Sequence, residues 1–393
     1  CNPTDTVITP DFKIDIMNDV NETIAGFKKI FPRERMNIEN FFDLIINKSL
    51  LYLYSKRYIC VPFQNVLDDY FEDKNLKKIF GIFLANIGSL PIQTSSISAF
   101  ALLKQFILSG GFYPKGGMQT IPNALVSNLF GFGGELFLKT LVNQIILKNG
   151  KVQGVRLTSG EVLLSDVVIS NSDFTYTFTK LFPFNGNRKW RDLHNKIKNY
   201  QCTFSIFIIY VIVNRALGEL IDSGPGLWYL PSEESIENEI NLENAKFMVN
   251  KTIFCSLASK LDRDLSPQGY DYMRIMINTK HYNENFWSRY AKEISDRLIY
   301  QIEKIIPGIR EYIVCSGRAT SATMENYTLN RGGAICGWLN SPMQVMNPIQ
   351  NNLPHINGLY FVGHWVTDRY GNGGIAMVAD SGRKVAKLIL KKS

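Results

Sequence analysis

Chemistry in this chain is concentrated near its end, where glycines interrupt an apolar pattern. Leu359-Tyr360-Phe361-Val362 reads as a short strand of the kind buried in a parallel sheet. Gly363 ends it, residues 364–373 form a loop, and a helix begins near Gly374-Ile375. A strand that feeds a glycine-rich loop and then a helix leaves unpaired backbone N–H groups at the helix start, facing the carboxyl end of the strand. Gly373 and Gly374 remove side chains that would hold a ligand at a distance. A ligand atom that gains negative charge during a reaction would be stabilised there. The plainer alternative is a βα unit whose glycines only permit a tight turn, and the residues alone leave both readings open.

Other chemistries find little support. Gly371-Asn372-Gly373-Gly374-Ile375-Ala376 matches GxGxxA, the dinucleotide fingerprint, but that fingerprint needs an acidic residue on a second strand about 20 residues later. The sequence stops after this helix, so the match fails, and no other GxGxxG is present. Four His (194, 281, 355, 364) show no i, i+3 or i+4 pairing, and six Cys (1, 60, 202, 255, 315, 336) show no CxxC. No metal site is expected, and the thiols read as reduced and mostly buried.

The elements that position the glycine loop follow from periodicity. In the terminal helix Ile375, Val378, Ala379, Gly382, Val385, Ala386, Ile389 and Leu390 form one apolar face, with Arg383, Lys384, Lys387, Lys391 and Lys392 on the polar face and C-terminal end. Upstream, Asp5–Thr9 and Phe12–Ile16 read as two strands around Pro10-Asp11. From about Asn21 to Ile107 helical spacing dominates, with Phe41, Leu44, Ile45 and Leu50, then Leu76, Ile79, Phe80 and Phe83. This region is either a helical cap with buried aromatics or a greasy lid over an entrance. Gly110–Gly117 is a loop, followed by a helix with Ile121, Leu125, Val126 and Leu129, with Pro122 in its first turn. A β-meander then includes an extended Glu135–Lys139, a hairpin of Gln144–Lys148 with Lys151–Leu157 across Asn149-Gly150, and Glu161–Leu164. Asp166–Ser170 reads as a fully buried strand. The middle mixes a helix at Trp190–Asn199, strands at Thr203–Val213 and around Ile253–Leu257, and a long amphipathic helix at Glu284–Ile305.

Length and composition bound the whole. The 393 residues suit two to three domains, and 45% hydrophobic with 20% charged residues is ordinary for a packed protein. The longest apolar run, Ile206–Val213, is far short of the ~20 residues of a membrane-crossing helix. The net charge of +8 is dispersed, so an anionic partner such as a membrane surface or a phosphate-bearing cofactor fits better than nucleic acid.

Gly111–Met118 (GFYPKGGM), the meander through Val167–Asn171, the segment Tyr327-Thr328 with Gly332–Trp338, and Gly358–Ala386 resemble the phytoene desaturase, carotenoid isomerase and retinol saturase group. So does the opening Asp5–Ile8. These are FAD-dependent oxidoreductases of flavin amine-oxidase architecture. The resemblance implies an α/β fold: a doubly wound FAD-binding domain, N-terminally incomplete, with an α+β substrate domain of antiparallel sheet plus helices. It divides the chain into a hairpin and helical lid (1–109), the GG loop, helix and meander (110–184), the substrate strands and helices (185–315) and a C-terminal FAD-binding βα unit (316–393). Two departures stand out. The group's N-terminal GxGxxG unit has no counterpart here, so a piece of ~100 residues is expected to be missing, in a fragment or a split protein with a partner chain. His364-Trp365, the loop Thr367–Tyr370 and Ala376 also differ from many relatives, which leaves the polyene unidentified.

Carried over position by position, the resemblance places Val142 near the adenine side of FAD, Gly363 and His364 near the ribityl–pyrophosphate unless His364 simply caps a loop, and Gly374 and Ile375 at the flavin pyrimidine edge, with Gly373 also cofactor-binding. Gly116 and Gly117 would sit by the isoalloxazine with Tyr113 as an aromatic wall. Trp338 and Trp365 would line a substrate tunnel, unless they and Tyr113 are simply packed aromatics. The expected function is hydride transfer between flavin and a C–C bond of an apolar polyene or isoprenoid drawn from a membrane. No catalytic acid–base pair stands out. The alternatives are a flavin amine oxidase, and an FAD-less lipid-binding relative or subunit. Reduced thiols suggest a cytoplasmic location with peripheral membrane contact.

Overall fold

Alternating side chains organise the largest element. The computed structural model describes residues 2–391 except 57, 183–187, 243–245, 354, 367–370 and 372. The loop Thr367–Tyr370 therefore lies outside the described residues. The strands are β1 (Asp5–Ile8), β2 (Lys13–Ile16), β3 (Val142–Lys148), β4 (Lys151–Leu157), β5 (Val162–Leu164), β6 (Val168–Ser170), β7 (Ser205–Val213), β8 (Gly226–Tyr229), β9 (Ile253–Ser256), β10 (Asp271–Thr279), β11 (Ile313–Ala319) and β12 (Leu359–Phe361). Seven of them form one sheet in the order β11-β7-β10-β9-β8-β1-β2, antiparallel except for the parallel β1–β8 pair.

One face of this sheet is dry. Phe207, Ile209, Val211 and Val213 of β7 join Met273, Ile275 and Ile277 of β10 under Trp287, Ile294, Leu298 and Ile302 of the helix Glu284–Glu303. The opposite face, carrying Tyr210, Ile212, Tyr272 and Arg274, is partly open; Tyr210 is 36% and Ile212 39% exposed.

The helices of 20–109 are starred by carboxylate caps: Asp19 and Asp73 accept from backbone N–H groups at the starts of Val20–Ile30 and Lys74–Ile82. Their interior is aromatic, with Phe41 within 4.7 Å of Phe80 and 5.0 Å of Phe71 (ring centroids). Phe27, Phe42, Phe63 and Phe100 are also buried there, so these rings pack on one another.

A smaller layer carries the glycine loop. β12 pairs in parallel with β6, as the apolar run predicts. β3 and β4 form the expected hairpin, with Asn149 (φ 51°) and Gly150 (φ 73°) in the left-handed turn that Asn-Gly favours. Two expectations need correction. Glu135–Lys139 is not a strand. β6 is not fully buried: Ile169 is 49% exposed, because β12 is the sole partner of β6 among the described residues. The helix expected at Ile121 forms over Thr120–Gly131, and none of its residues is buried. Among the described residues no helix is long and apolar enough to cross a membrane.

Candidate functional site

The C-terminal helix, Gly374–Leu390, starts without a side-chain cap among the described residues. Gly373 (φ 110°) and Gly374 (φ 70°) occupy backbone conformations that favour glycine. A Cβ at Gly374 would meet nothing within 4 Å, so the helix start opens on free space. At Gly373 a Cβ would lie 3.2 Å from Ile87, placing the turn against the 3-10 segment Phe83–Ile87. The Gly374 N–H donates to the Cys336 thiol, whose pKa burial pushes up to about 11 against that bond. This thiol also points at the Asn86 carbonyl, at 3.7 Å. The helix buries Ser381 and Val385; of the predicted apolar face Val385 is buried, whereas Ile375 is 57% and Leu390 74% exposed, so the covered face is turned toward Ser381.

Gly363 and Gly373 line one cleft of about 260 Å³ beside this helix, together with Gly371 and Ser381. The Gly363 N–H donates to Ser381 Oγ at 2.8 Å, and a Cβ on Gly363 would fall 2.0 Å from Asn171 Oδ1. The tight approach ties the end of β12 to the end of β6. His364 is half-buried, and its carbonyl lies where a Cβ on Gly337 would be, 2.2 Å away. Burial holds its imidazole below the ordinary pKa, so it is neutral at pH 7.

Trp338 and Trp365 are both buried, with ring centroids 5.0 Å apart edge to face. Trp338 Nε1 donates to the Trp365 carbonyl at 2.9 Å, and Trp365 Nε1 to Asn330 Oδ1 at 3.1 Å. Arg331 spans the same junction. Its guanidinium lies 5.2 Å over the Trp338 ring and donates to the Tyr200 carbonyl at 2.7 Å. Its backbone N–H donates to Asp173, at 2.7 Å. These contacts lock the segment 330–340 under the glycine loop.

The GG loop sits elsewhere on the rim. Gly116 (φ 82°) and Gly117 (φ 89°) are both left-handed, and the Gly116 N–H donates to Asp262 Oδ2 at 2.6 Å. A Cβ on Gly117 would lie 3.0 Å from Leu265. Tyr113 and Tyr210 stand close enough to Tyr272 to raise its pKa further; burial is the main cause, and the value reaches about 12. Val142 opens β3, half-buried against the small core around Trp338. The structure thus gathers Gly363, Gly373 and Gly374 around the helix start, with Tyr113 near Tyr272 of the open sheet face and Gly116 and Gly117 against Asp262 and Leu265. The sequence reading missed Tyr210, Tyr272 and Arg274. The alternation within Ser205–Val213 and Asp271–Thr279 could have found them.

Comparison with known proteins decides the family. The profile described as "flavin containing amine oxidoreductase" matches residues 58–390. The chain belongs to that family. Among curated relatives, it is 27% identical over 269 residues to a neurosporene-forming phytoene desaturase of Cereibacter sphaeroides, covering 67% of this chain and 51% of the relative. It is equally 27% identical to prolycopene isomerase 2 of an Oncidium hybrid cultivar, over 74% of this chain and 48% of the relative. The chain spans about half the length of these relatives. Among solved structures, an oxidoreductase from Methanosarcina mazei superposes with TM-score 0.64 at 15% identity, over 96% of this chain and 77% of that one. A putrescine oxidase variant superposes with TM-score 0.63 at 11% identity, over 100% and 82%. The fold is therefore the FAD-dependent amine-oxidase fold, as the resemblance implied, and FAD is the cofactor that goes with it.

Proposed function

We propose that this chain carries the flavin-ring end and the substrate wall of an FAD-dependent oxidoreductase acting on C–C bonds of an apolar polyene or isoprenoid. One observation carries the reading: the uncapped, glycine-lined start of Gly374–Leu390 opens on free space beside Phe83–Ile87. The similarity to carotenoid desaturases and isomerases supports the choice of substrate.

When bound, the flavin supplies hydride acceptance or donation. The chain's own groups do the rest. The Ile375 N–H at the helix start would hold the electronegative edge of the ring, where negative charge gathers on reduction, while Gly374, whose own N–H is given to the Cys336 thiol, leaves room for it. Gly363 and His364 would hold the chain of the cofactor toward its pyrophosphate, and Val142 its adenine side. The neutral His364 adds no charge. Gly116 and Gly117 let the backbone approach the ring, with Tyr113 against it. Ile206, Ile208 and Met276 present apolar groups from the open sheet face, which suits a hydrocarbon and excludes water. Trp338 and Trp365 serve by fixing the loop between Asn330 and Val366. The apolar residues exposed around the helix Thr120–Gly131, with Phe130 55% and Phe132 91% exposed, support contact with a membrane that supplies the substrate.

The test is a titration of the chain with FAD, following the bound flavin band near ~450 nm, then anaerobic addition of a polyene. Binding followed by a change of flavin redox state is expected. Ile375→Pro deletes one helix-start donor at a position that tolerates proline; it should weaken flavin binding about tenfold with little change in melting temperature. Bleaching by putrescine and not by polyenes would replace this reading with an amine oxidase.

A further inference from the structure

A small cavity of about 110 Å³ lies between the open sheet face and Phe83–Ile87. It is lined by apolar groups (Ile206, Trp228, Phe254, Met276) and by three asparagines, Asn86, Asn250 and Asn278. Its wall includes Ile335, next to the Cys336 thiol that receives the Gly374 N–H. The inner end is therefore separated from the helix start, at which the flavin edge is placed above, by the Cys336 thiol and Asn86. The outer end meets a groove of about 450 Å³ through two shared residues, Asn250 and Thr252. The floor of that groove is apolar, formed in part by Ile82, Leu90, Leu230 and Ile236.

A pure hydrocarbon has no use for amides at this depth. Asn278 spends its Nδ2 on the Ala85 carbonyl, at 3.1 Å, which holds the 3-10 segment in place. Asn250 is different: its Oδ1 is buried and has no hydrogen-bond partner among the described residues. A buried amide oxygen left unmade costs about 1–3 kcal/mol, so a ligand that meets it gains the difference. Among the described residues no charged side chain lines the inner cavity, and four lysines (74, 77, 78, 251) outnumber two acids (Asp68, Glu233) around the groove. An ammonium group would enter against like charge and find no carboxylate. A hydroxyl both donates and accepts, so it satisfies the amide whichever way its oxygen and nitrogen are assigned.

From this juxtaposition we propose that Asn250, at the neck between groove and cavity, recognises a hydroxyl on an otherwise apolar isoprenoid, so that the substrate is an oxygen-bearing isoprenoid and not a bare hydrocarbon. The inference rests on the polyene or isoprenoid reading and narrows it.

Direct calorimetric titration of the full chain with farnesol, its hydrocarbon counterpart farnesene and farnesylamine tests it without turnover. Farnesol is expected to bind about tenfold more tightly than farnesene, the worth of one satisfied buried hydrogen bond. Asn250→Leu should remove that preference by weakening farnesol alone, its farnesene affinity showing that the cavity is intact. Asn250→Ser, which restores a hydroxyl, should keep part of it. Equal affinities in the unaltered chain, a preference that survives Asn250→Leu, tighter binding of the amine, or no binding of any of the three would overturn the proposal. Flavin reduction by a polyene is read separately, so loss of hydroxyl recognition and loss of the redox function remain distinguishable.

Discussion

Asp5 is the most consequential single residue outside the glycine loop. Its carboxyl accepts from Trp228 Nε1 at 2.7 Å, is 8% exposed, and lies where a Cβ on Gly226 would be, 2.2 Å from Oδ1. Burial raises its pKa from 3.8 to about 7, against the bonds from Trp228 and Thr4. The native state thus keeps a proton that the unfolded chain loses, and stability falls as pH rises from about 4 to 7. Above that window the cost is on the order of 4 kcal/mol. Asp5→Asn should therefore raise the melting temperature at pH 8 and leave it nearly unchanged at pH 4; an equal shift at both pH values would refute the assignment. Glu34 behaves oppositely. Burial would raise its pKa, but Asn37 and the N–H groups of Asp73 and Glu72 outweigh that and lower it. Its contribution is present above the ordinary glutamate pKa and fades as pH falls through the lowered value. Glu34→Ala strands two N–H groups, each held at 2.7 Å, and should cost about 2 kcal/mol by denaturant unfolding at pH 7. Neither residue stood out in the sequence, because burial of a carboxylate depends on neighbours distant along the chain.

At the scale of elements, the βα unit was legible and its orientation was not. The apolar run at 359–361, the glycines and the helix start at Gly374 all followed from local pattern. The buried face did not, since which stripe is covered depends on what packs there, and the structure covers Ser381 and Val385. Val385→Ala should cost about 1–3 kcal/mol in chemical unfolding, whereas Ala386, on the predicted face but exposed, should tolerate Ser within about 0.5 kcal/mol. Close backbone approaches set the junctions between elements. A Cβ on Gly358 (φ 84°) would strike the Asp166 carbonyl at 2.2 Å, where a rigid backbone cannot yield. Gly358→Ala should separate β12 from β6 and expose the strand amides, seen as lost hydrogen-exchange protection at residues 168–170; unchanged protection would contradict the packing.

For the whole molecule, the uncovered apolar surface around Thr120–Gly131 makes the strongest prediction. Paired Phe130→Ser and Phe132→Ser substitutions should leave the melting temperature unchanged, because both rings are exposed, while reducing co-sedimentation with lipid vesicles. A large loss of stability would show those rings to be interior.

Periodicity and turn chemistry settled, from the amino-acid order alone, that helices fill 20–109, that a hairpin turns at Asn149-Gly150, and that a glycine-rich loop ends in a terminal helix; these depend on neighbours a few residues apart. The strands β8, β10 and β11, the seven-stranded order, the aromatic packing of Trp338 on Trp365, and the meeting of Asn250 with Asn86 and Ile335 around one cavity were decided by tertiary structure. They join segments up to hundreds of residues apart, and a contact of that range is specified by which surfaces exclude water together, which no local pattern records.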